Sequence, residues 1–206
     1  MAEKLLTKDD IIGKLTAYAE VPDDENLKYK EKIKDTLLHC PELLFALNET
    51  TLADELISED GTINYEGEWD RYFGESSNIR PYLFFPETQD KVKHYLCYQV
   101  SFTTMPKYNN IEKYTDITFH IFVHDKDSID PWTQLPRHDL IASIIRERFN
   151  WSSIFGMQAK LVSSKESMTD NNYVVRTLVF EILDPNGLVK TDYQGETTIR
   201  NTDYWR

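Results

Sequence analysis

The chain has 206 residues and a net charge of −12, with 40% apolar and 13% aromatic residues. That is enough apolar side chain for a sizeable core, so a disordered acidic protein is excluded. The excess of 35 Asp and Glu over 23 Lys and Arg excludes holding nucleic acid by phosphate neutralisation, which needs a surplus of cations on one face.

The acidity is uneven. Residues 1–79 hold 8 Lys and Arg against 19 Asp and Glu, whereas residues 80–206 hold 15 against 16. An acidic first part of this kind repels DNA passing close by, or faces a basic protein partner. No apolar run is long enough to span a bilayer, and the first residues lack the basic-then-apolar pattern of a signal peptide. Cys40 and Cys97 lie far apart in apolar neighbourhoods, which predicts two buried free thiols in a reducing compartment.

Residues 1–57 read as an acidic helical extension. Thr7 with Asp10 makes a capping pair, and Ile11, Ile12, Leu15 and Tyr18 then form one apolar face. A second helix begins at Asp23 or Asp24, with Leu27, Ile33, Leu37 and Leu38 on one side. Pro41 suits the first turn of a third, short helix, and Thr50 or Thr51 starts a further turn. Residues 58–78 are rich in Gly and acids yet carry Tyr65, Trp69, Tyr72 and Phe73. Four aromatics predict an ordered loop that lays its rings on its own domain or on another subunit.

Residues 79–187 read as the core domain. Strands are expected over 79–85, 91–104 and 116–124. In the second, Val92, His94, Leu96, Tyr98, Val100 and Phe102 share one face; in the third, Ile117, Phe119, Ile121 and Val123 do. The short polar loop between these two strands predicts an antiparallel pair. A loop over 125–136 carries Trp132 and two prolines. The helix over 137–149 points Leu140, Ile141, Ile144, Ile145 and Phe149 at the sheet and leaves Arg137, Arg146, Glu147 and Arg148 exposed. Strands over 157–167 and 173–183 close the block as a hairpin, and a strong turn follows at 184–187. Residues 188–206 are polar with isolated Tyr193, Tyr204 and Trp205, an arm that is disordered or docks elsewhere. The fold class is therefore α+β: a mainly antiparallel sheet covered by one amphipathic helix, with a helical N-terminal extension.

The search for chemistry predicts no catalytic residues, no cofactor and no metal site. His120 and His124 sit on one strand, about 13 Å apart, too far to share an ion. Asp125, Asp127 and Asp130 lack the spacing, the Gly and the bidentate Glu of a calcium loop, and read as a solvated acidic loop. His138 and Asp139 open a helix, where an acid suits the positive dipole end. There is no P-loop, GxGxxG, GxSxG or CxxC sequence. What remains is a set of aromatic-bearing irregular segments, common in subunits that assemble. The subunit-interface candidates are Trp69, Tyr72, Phe73, Trp132, Arg146, Arg148, Tyr193, Tyr204 and Trp205.

The strand ITFHIFVHD, the helix RHDLIASIIRERF and the closing strand VRTLVFEILD, preceded by KVKHYLCYQVSFTT, resemble the tail terminators and related neck or tail-completion proteins of tailed bacteriophages. The resemblance covers residues 79–184 and rests on element order and helix character. It implies a non-enzymatic virion structural protein, assembled in the host cytoplasm into a homo-oligomeric ring. A hexamer is expected, with a dodecamer as the alternative. Such a ring joins tail tube to head connector or adaptor and lets DNA pass without specific binding; no membrane is involved. The chain departs from that family by its acidic helical extension and its C-terminal arm. The rival readings are a phage ring, adaptor or connector protein outside the terminator family, and a small-ligand-binding α+β enzyme.

Overall fold

The computed structural model describes residues 7–17, 24–49, 55–58, 60–86, 92–104, 112–185, 189–191 and 197–199. Three helices come first: α1 (Lys8–Ala17), α2 (Asp24–Leu37) and α3 (Pro41–Ala46). The main sheet and its covering helix follow as β1 (Ile79–Arg80), β2 (Tyr95–Thr104), β3 (Glu112–His124), α4 (Arg137–Phe149), β4 (Lys160–Met168) and β5 (Tyr173–Pro185). A separate two-stranded pair, β6 (Val189–Thr191) and β7 (Thr197–Ile199), comes last. The fold is α+β, as the sequence predicts. No helix among the described residues is long and apolar enough to cross a membrane.

The main sheet has the order β1-β2-β3-β5-β4. Strands β2 and β3 pair antiparallel, with Leu96 opposite Ile121 and Tyr98 opposite Phe119. β3 and β5 run antiparallel over all thirteen residues, from Glu112 opposite Pro185 to His124 opposite Tyr173. The chain leaves β3 through α4, lays down β4 at the edge, and turns back so that β5 fills the gap. Asn172 makes that turn at a positive φ of 62°, a conformation Asn tolerates better than most residues.

Period-two alternation gives the sheet one apolar face. Leu96, Tyr98, Ile117, Phe119, Ile121, Leu178, Phe180 and Ile182 are buried against Ile141, Ala142, Ile145 and Phe149 of α4. The rings of Phe119, Phe149 and Phe180 form the centre, with Phe119 5.0 Å from Phe149 and 5.8 Å from Phe180. α4 is not alone on this face. Tyr29, Ile33 and Leu37 of α2 and Leu43, Leu44 and Ala46 of α3 join the same core.

Several expectations change in detail. Residues 79–85 do not form one strand: only Ile79 and Arg80 pair, parallel to β2, because Pro81 has no N–H to continue a ladder. The next residues cross the opposite face of the sheet, where Phe84 packs on a small second cluster of Tyr95, Cys97, Phe122, Tyr173 and Val175. There the Arg80 guanidinium lies 3.7 Å from the Phe84 ring centre. The buried stripe of α2 turns on Tyr29 rather than Leu27, which is exposed. In α4 the buried stripe is Ile141, Ile145 and Phe149, with Leu140 and Ile144 half-buried.

α1 is capped as expected: the Asp10 N–H donates to Thr7 Oγ1 at 3.2 Å, and the Thr7 N–H donates to Asp10 Oδ2 at 2.9 Å. It buries none of its residues, and Ile11, Ile12 and Leu15 are 48%, 48% and 62% exposed.

Candidate functional site

Among the described residues, the polar side chains of the helix-covered face collect in three clusters, each closed by its own cation. The largest sits where β2, β3, α3 and the start of α4 meet. Arg137 is fully buried there, not exposed as its helix position suggested. Its Nη2 donates to Asp127 Oδ1 at 2.9 Å, its Nε to the Asp127 carbonyl at 3.0 Å, and its Nη1 to the Ala46 carbonyl at 3.1 Å. Nη1 also lies 3.5 Å from Asp130 Oδ1. Asp127 further accepts from Asn48 Nδ2 at 2.6 Å. Most of the loop over 125–136 is exposed, as expected of a solvated loop, but two of its three acids are held by Arg137. Asp127 and Asp130 anchor it on a buried guanidinium, whose planar fork can serve several acceptors at once.

His94 completes this cluster. The His124 N–H donates to His94 Nδ1 at 3.1 Å, so Nδ1 carries no proton and Nε2 donates to Asp127 Oδ2 at 2.9 Å. His94 is neutral in this arrangement. Burial holds the imidazole below its ordinary value, against the pull of Asp127. Burial pushes the Asp127 carboxyl up, but the hydrogen bonds from His94, Arg137 and Asn48 outweigh it and hold the carboxyl below the usual carboxylate range.

The second cluster joins α4 to β4 and β5. His138, Asp139 and Glu166 offer three ligand atoms within 4.8 Å of one another, the kind of set that can hold a metal ion. Arg176 already bridges its two carboxylates, contacting Asp139 Oδ1 and lying 3.2 Å from Glu166 Oε2. An arginine stays charged, so its guanidinium stands where a cation would and supplies the balancing charge. The third cluster lies at the other end of the sheet. The Tyr29 hydroxyl donates to Asp184 Oδ1 at 2.7 Å, and the buried Lys113 ammonium lies 3.6 Å from Glu25. Burial and then the Asp184 hydrogen bond push the Tyr29 hydroxyl pKa far up. None of the three places a nucleophile beside a base at the mouth of a pocket, the arrangement acid–base or covalent catalysis requires.

The interface candidates divide. Trp69 and Tyr72 are buried in the chain's own core, so they cannot present rings to a neighbour. Trp69 Nε1 donates to the Asn64 carbonyl at 2.9 Å, and its ring meets His39 at 5.2 Å. Phe73 is half-buried, with Lys34 5.9 Å from its ring centre. Arg148 pairs with Glu42, tying α4 to α3, while Arg146 is exposed and donates to Ser143 Oγ at 2.9 Å. Trp132 is 86% exposed. It stands on a loop fixed by Asp130 Oδ2, which accepts from the Thr133 N–H and hydroxyl, both at 2.8 Å. Tyr193, Tyr204 and Trp205 lie outside the described residues.

Sequence reasoning missed Arg137 and His94 as structural residues. The signal was present: His94 falls on the apolar face of the strand expected over 91–104, where a polar ring needs a buried partner.

Among the described strands the sheet has two edges that are not fully paired. β4 pairs only with β5 among the described strands, and most of its residues are exposed. At the other edge, β1 covers β2 only at Leu96 and Cys97. Because β2, β3, β5 and β4 alternate in direction, β4 runs antiparallel to β2.

Residues 24–182 match the family model of YomW, a phage-derived family. The match spans well over half of the chain, and the chain belongs to the YomW family. No curated protein and no solved structure matches the chain. The matched residues begin with α2 and end within β5, so α1 and the β6–β7 pair fall outside them.

Proposed function

We propose that this phage-family chain is a virion structural protein of a tailed bacteriophage that assembles into a closed ring at the neck. It acts there as a tail terminator or neck-completion ring, joining tail tube to head connector. The observation that carries this reading is the pair of open, direction-matched sheet edges. Joining β4 of one copy to the uncovered part of β2 in the next continues an antiparallel ladder without reversing a strand. Such a contact brings two different patches together, which generates a cyclic ring when the rotation closes.

Charge and chemistry fit the role. Lys160, Lys165 and Glu166 on β4, with the register shift between Leu161 and Ser163, guard the edge against indiscriminate pairing and leave it to a matched partner. A net charge of −12 disfavours DNA adhering to the lumen wall. The polar clusters hold elements together, and no catalytic step is assigned to them.

Light scattering after size exclusion, followed by negative-stain microscopy, tests the reading. A closed cyclic particle is expected, alone or with tail-tube protein. A strict monomer at every concentration, with tail-tube and portal proteins each added, would overturn it. Capture by portal but not by tail tube would move the ring to the connector side, as an adaptor.

A further inference from the structure

The three polar clusters differ in how completely their oxygens are satisfied. In the first, both Asp127 carboxylate oxygens accept hydrogen bonds, one from Arg137 and the other from Asn48 and His94. In the second, Arg176 contacts both carboxylates. In the third, Glu25 Oε2, Thr115 Oγ1 and Asp184 Oδ2 have no hydrogen-bond partner among the described residues. Thr115 and Asp184 are 1% and 2% exposed, so bulk water does not serve them. Leaving a buried oxygen unpaired costs about 1–3 kcal/mol, and more for a charged one, so three such oxygens in one cluster need a cause.

The fold brings these oxygens together. Lys113 and Asp184 stand directly opposite each other on β3 and β5. Thr115 lies two residues along from Lys113, on the same buried face of the strand. From the other side, α2 adds Tyr29 and, one turn earlier, Glu25. The Tyr29 hydroxyl donates to Asp184 Oδ1, and besides burial and that hydrogen bond the charges of Asp184 and Glu25 both act on it. The two carboxylates therefore face one small space, one from the sheet and one from the helix. Lys113 does not close that space. Its ammonium stops 3.6 Å from Glu25 Oε2, beyond a hydrogen bond, and lies 5.4 Å from the centre of the Phe102 ring.

The donor set selects the ligand. Two carboxylates and a buried hydroxyl, all oxygens, suit a hard cation and not a soft one. Glu25 and Asp184 against Lys113 leave a single negative charge, which a monovalent ion cancels. A divalent ion would instead leave a buried positive charge, and calcium takes about six to eight oxygens. Both carboxylates oppose an anion.

We propose that Glu25 Oε2, Thr115 Oγ1 and Asp184 Oδ2 bind a monovalent alkali cation, which clamps the start of α2 onto the paired ends of β3 and β5. Glu25, its side chain 27% exposed, stands at the entrance. The site uses no subunit contact, so it stands or falls apart from the ring reading.

Thermal unfolding of the full chain tests this, in the chlorides of sodium, potassium and choline at one ionic strength and one protein concentration. Sodium or potassium is expected to raise the folding constant about tenfold over choline and to saturate, a rise in Tm of about 3 °C. Choline is too large for the site and reports screening of the acidic chain alone. Thr115→Val keeps the volume and removes one ligand oxygen, and should lose most of the alkali-specific gain. Asp184→Asn leaves an acceptor for Tyr29 but removes the charge, and should lose all of it. Each variant is read as the difference between salts, so a shift in its basal stability does not enter; Thr115→Val decides alone if Asp184→Asn does not fold. Equal stability of the parent in all three salts would overturn the inference. An alkali gain undiminished in Thr115→Val would overturn the site, and a larger gain from calcium at the same ionic strength would overturn the monovalent assignment.

Discussion

In α4, Ile141, Ile145 and Phe149 are fully buried; in α1, Ile11, Ile12 and Leu15 remain about half exposed or more. Both helices space apolar residues three and four apart, and both place acids in the first turn. What differs is the neighbour. α4 connects β3 to β4 within one sheet, so the chain path lays its stripe on Phe119 and Phe180. α1 comes first among the described elements and buries none of its residues. A hydrophobic period states which face of a helix wants cover; topology decides what covers it.

The largest test of this contrast is Ile145→Asp. It puts a carboxylate at a fully buried position with no cation facing it, and should cost about 4 kcal/mol or more. For a chain of this length that is a fall in Tm of about 10 °C. A variant that melts like the parent would show that α4 does not rest on the sheet as described.

Removing Arg137 comes next. The Arg137→Met variant keeps the volume but leaves Asp127 and Asp130 without their guanidinium, and should cost about 3 kcal/mol by urea denaturation. Adding Asp127→Asn should recover part of that loss, because the main penalty is an unpaired buried charge. Additive losses in the double variant would mean that Arg137 and Asp127 do not share one network.

This residue also marks the limit of what was legible. Strand faces, the β2–β3 pair, the closing hairpin, the Thr7 cap and Pro41 at a helix start all follow from local patterns, and the structure bears them out. Arg137 was misplaced because a charged residue at a helix start ordinarily faces water. Its burial depends on the α3 carbonyl of Ala46, 91 residues earlier, and no local period carries that. Trp69 and Tyr72 were ambiguous for the same reason: an aromatic in an irregular segment needs cover, and the cover here is α2 and α3 of the same chain.

A smaller effect is expected from pH. His94 is neutral in the fold with its pKa depressed by burial, while the unfolded chain takes up a proton as pH falls below about 6.5. The unfolded state then binds more protons, so stability falls with acidification, by at most about 1.4 kcal/mol per pH unit from this group. His120, also depressed by burial, adds in the same direction. Asp127, held below its usual range, contributes stability above about 3.8 that is lost as pH falls through its folded value. Urea titrations between pH 7.5 and 5 should show the slope, and His94→Gln should flatten it while keeping a donor for Asp127. An unchanged slope would place the titration elsewhere.

The smallest expected effect is the most informative about α1. At dilutions where the chain is monomeric, Ile11→Asp with Leu15→Asp should change unfolding free energy by no more than about 0.5 kcal/mol, as for substitutions at exposed sites. Asp lowers helix propensity slightly relative to Leu, but that loss frays α1 alone, because no core contact transmits it to the sheet. The comparison is with Ile145→Asp: the same new side chain, placed once at a buried apolar residue and twice at exposed ones, on helices of similar pattern. A ratio near ten between the two costs is what the difference in burial demands, Ile145 being fully buried and Ile11 and Leu15 exposed. Were the α1 variant to lose 2 kcal/mol or more as a monomer, Ile11 and Leu15 would be leaning on their own body in solution. α1 would then be a further wall of the core.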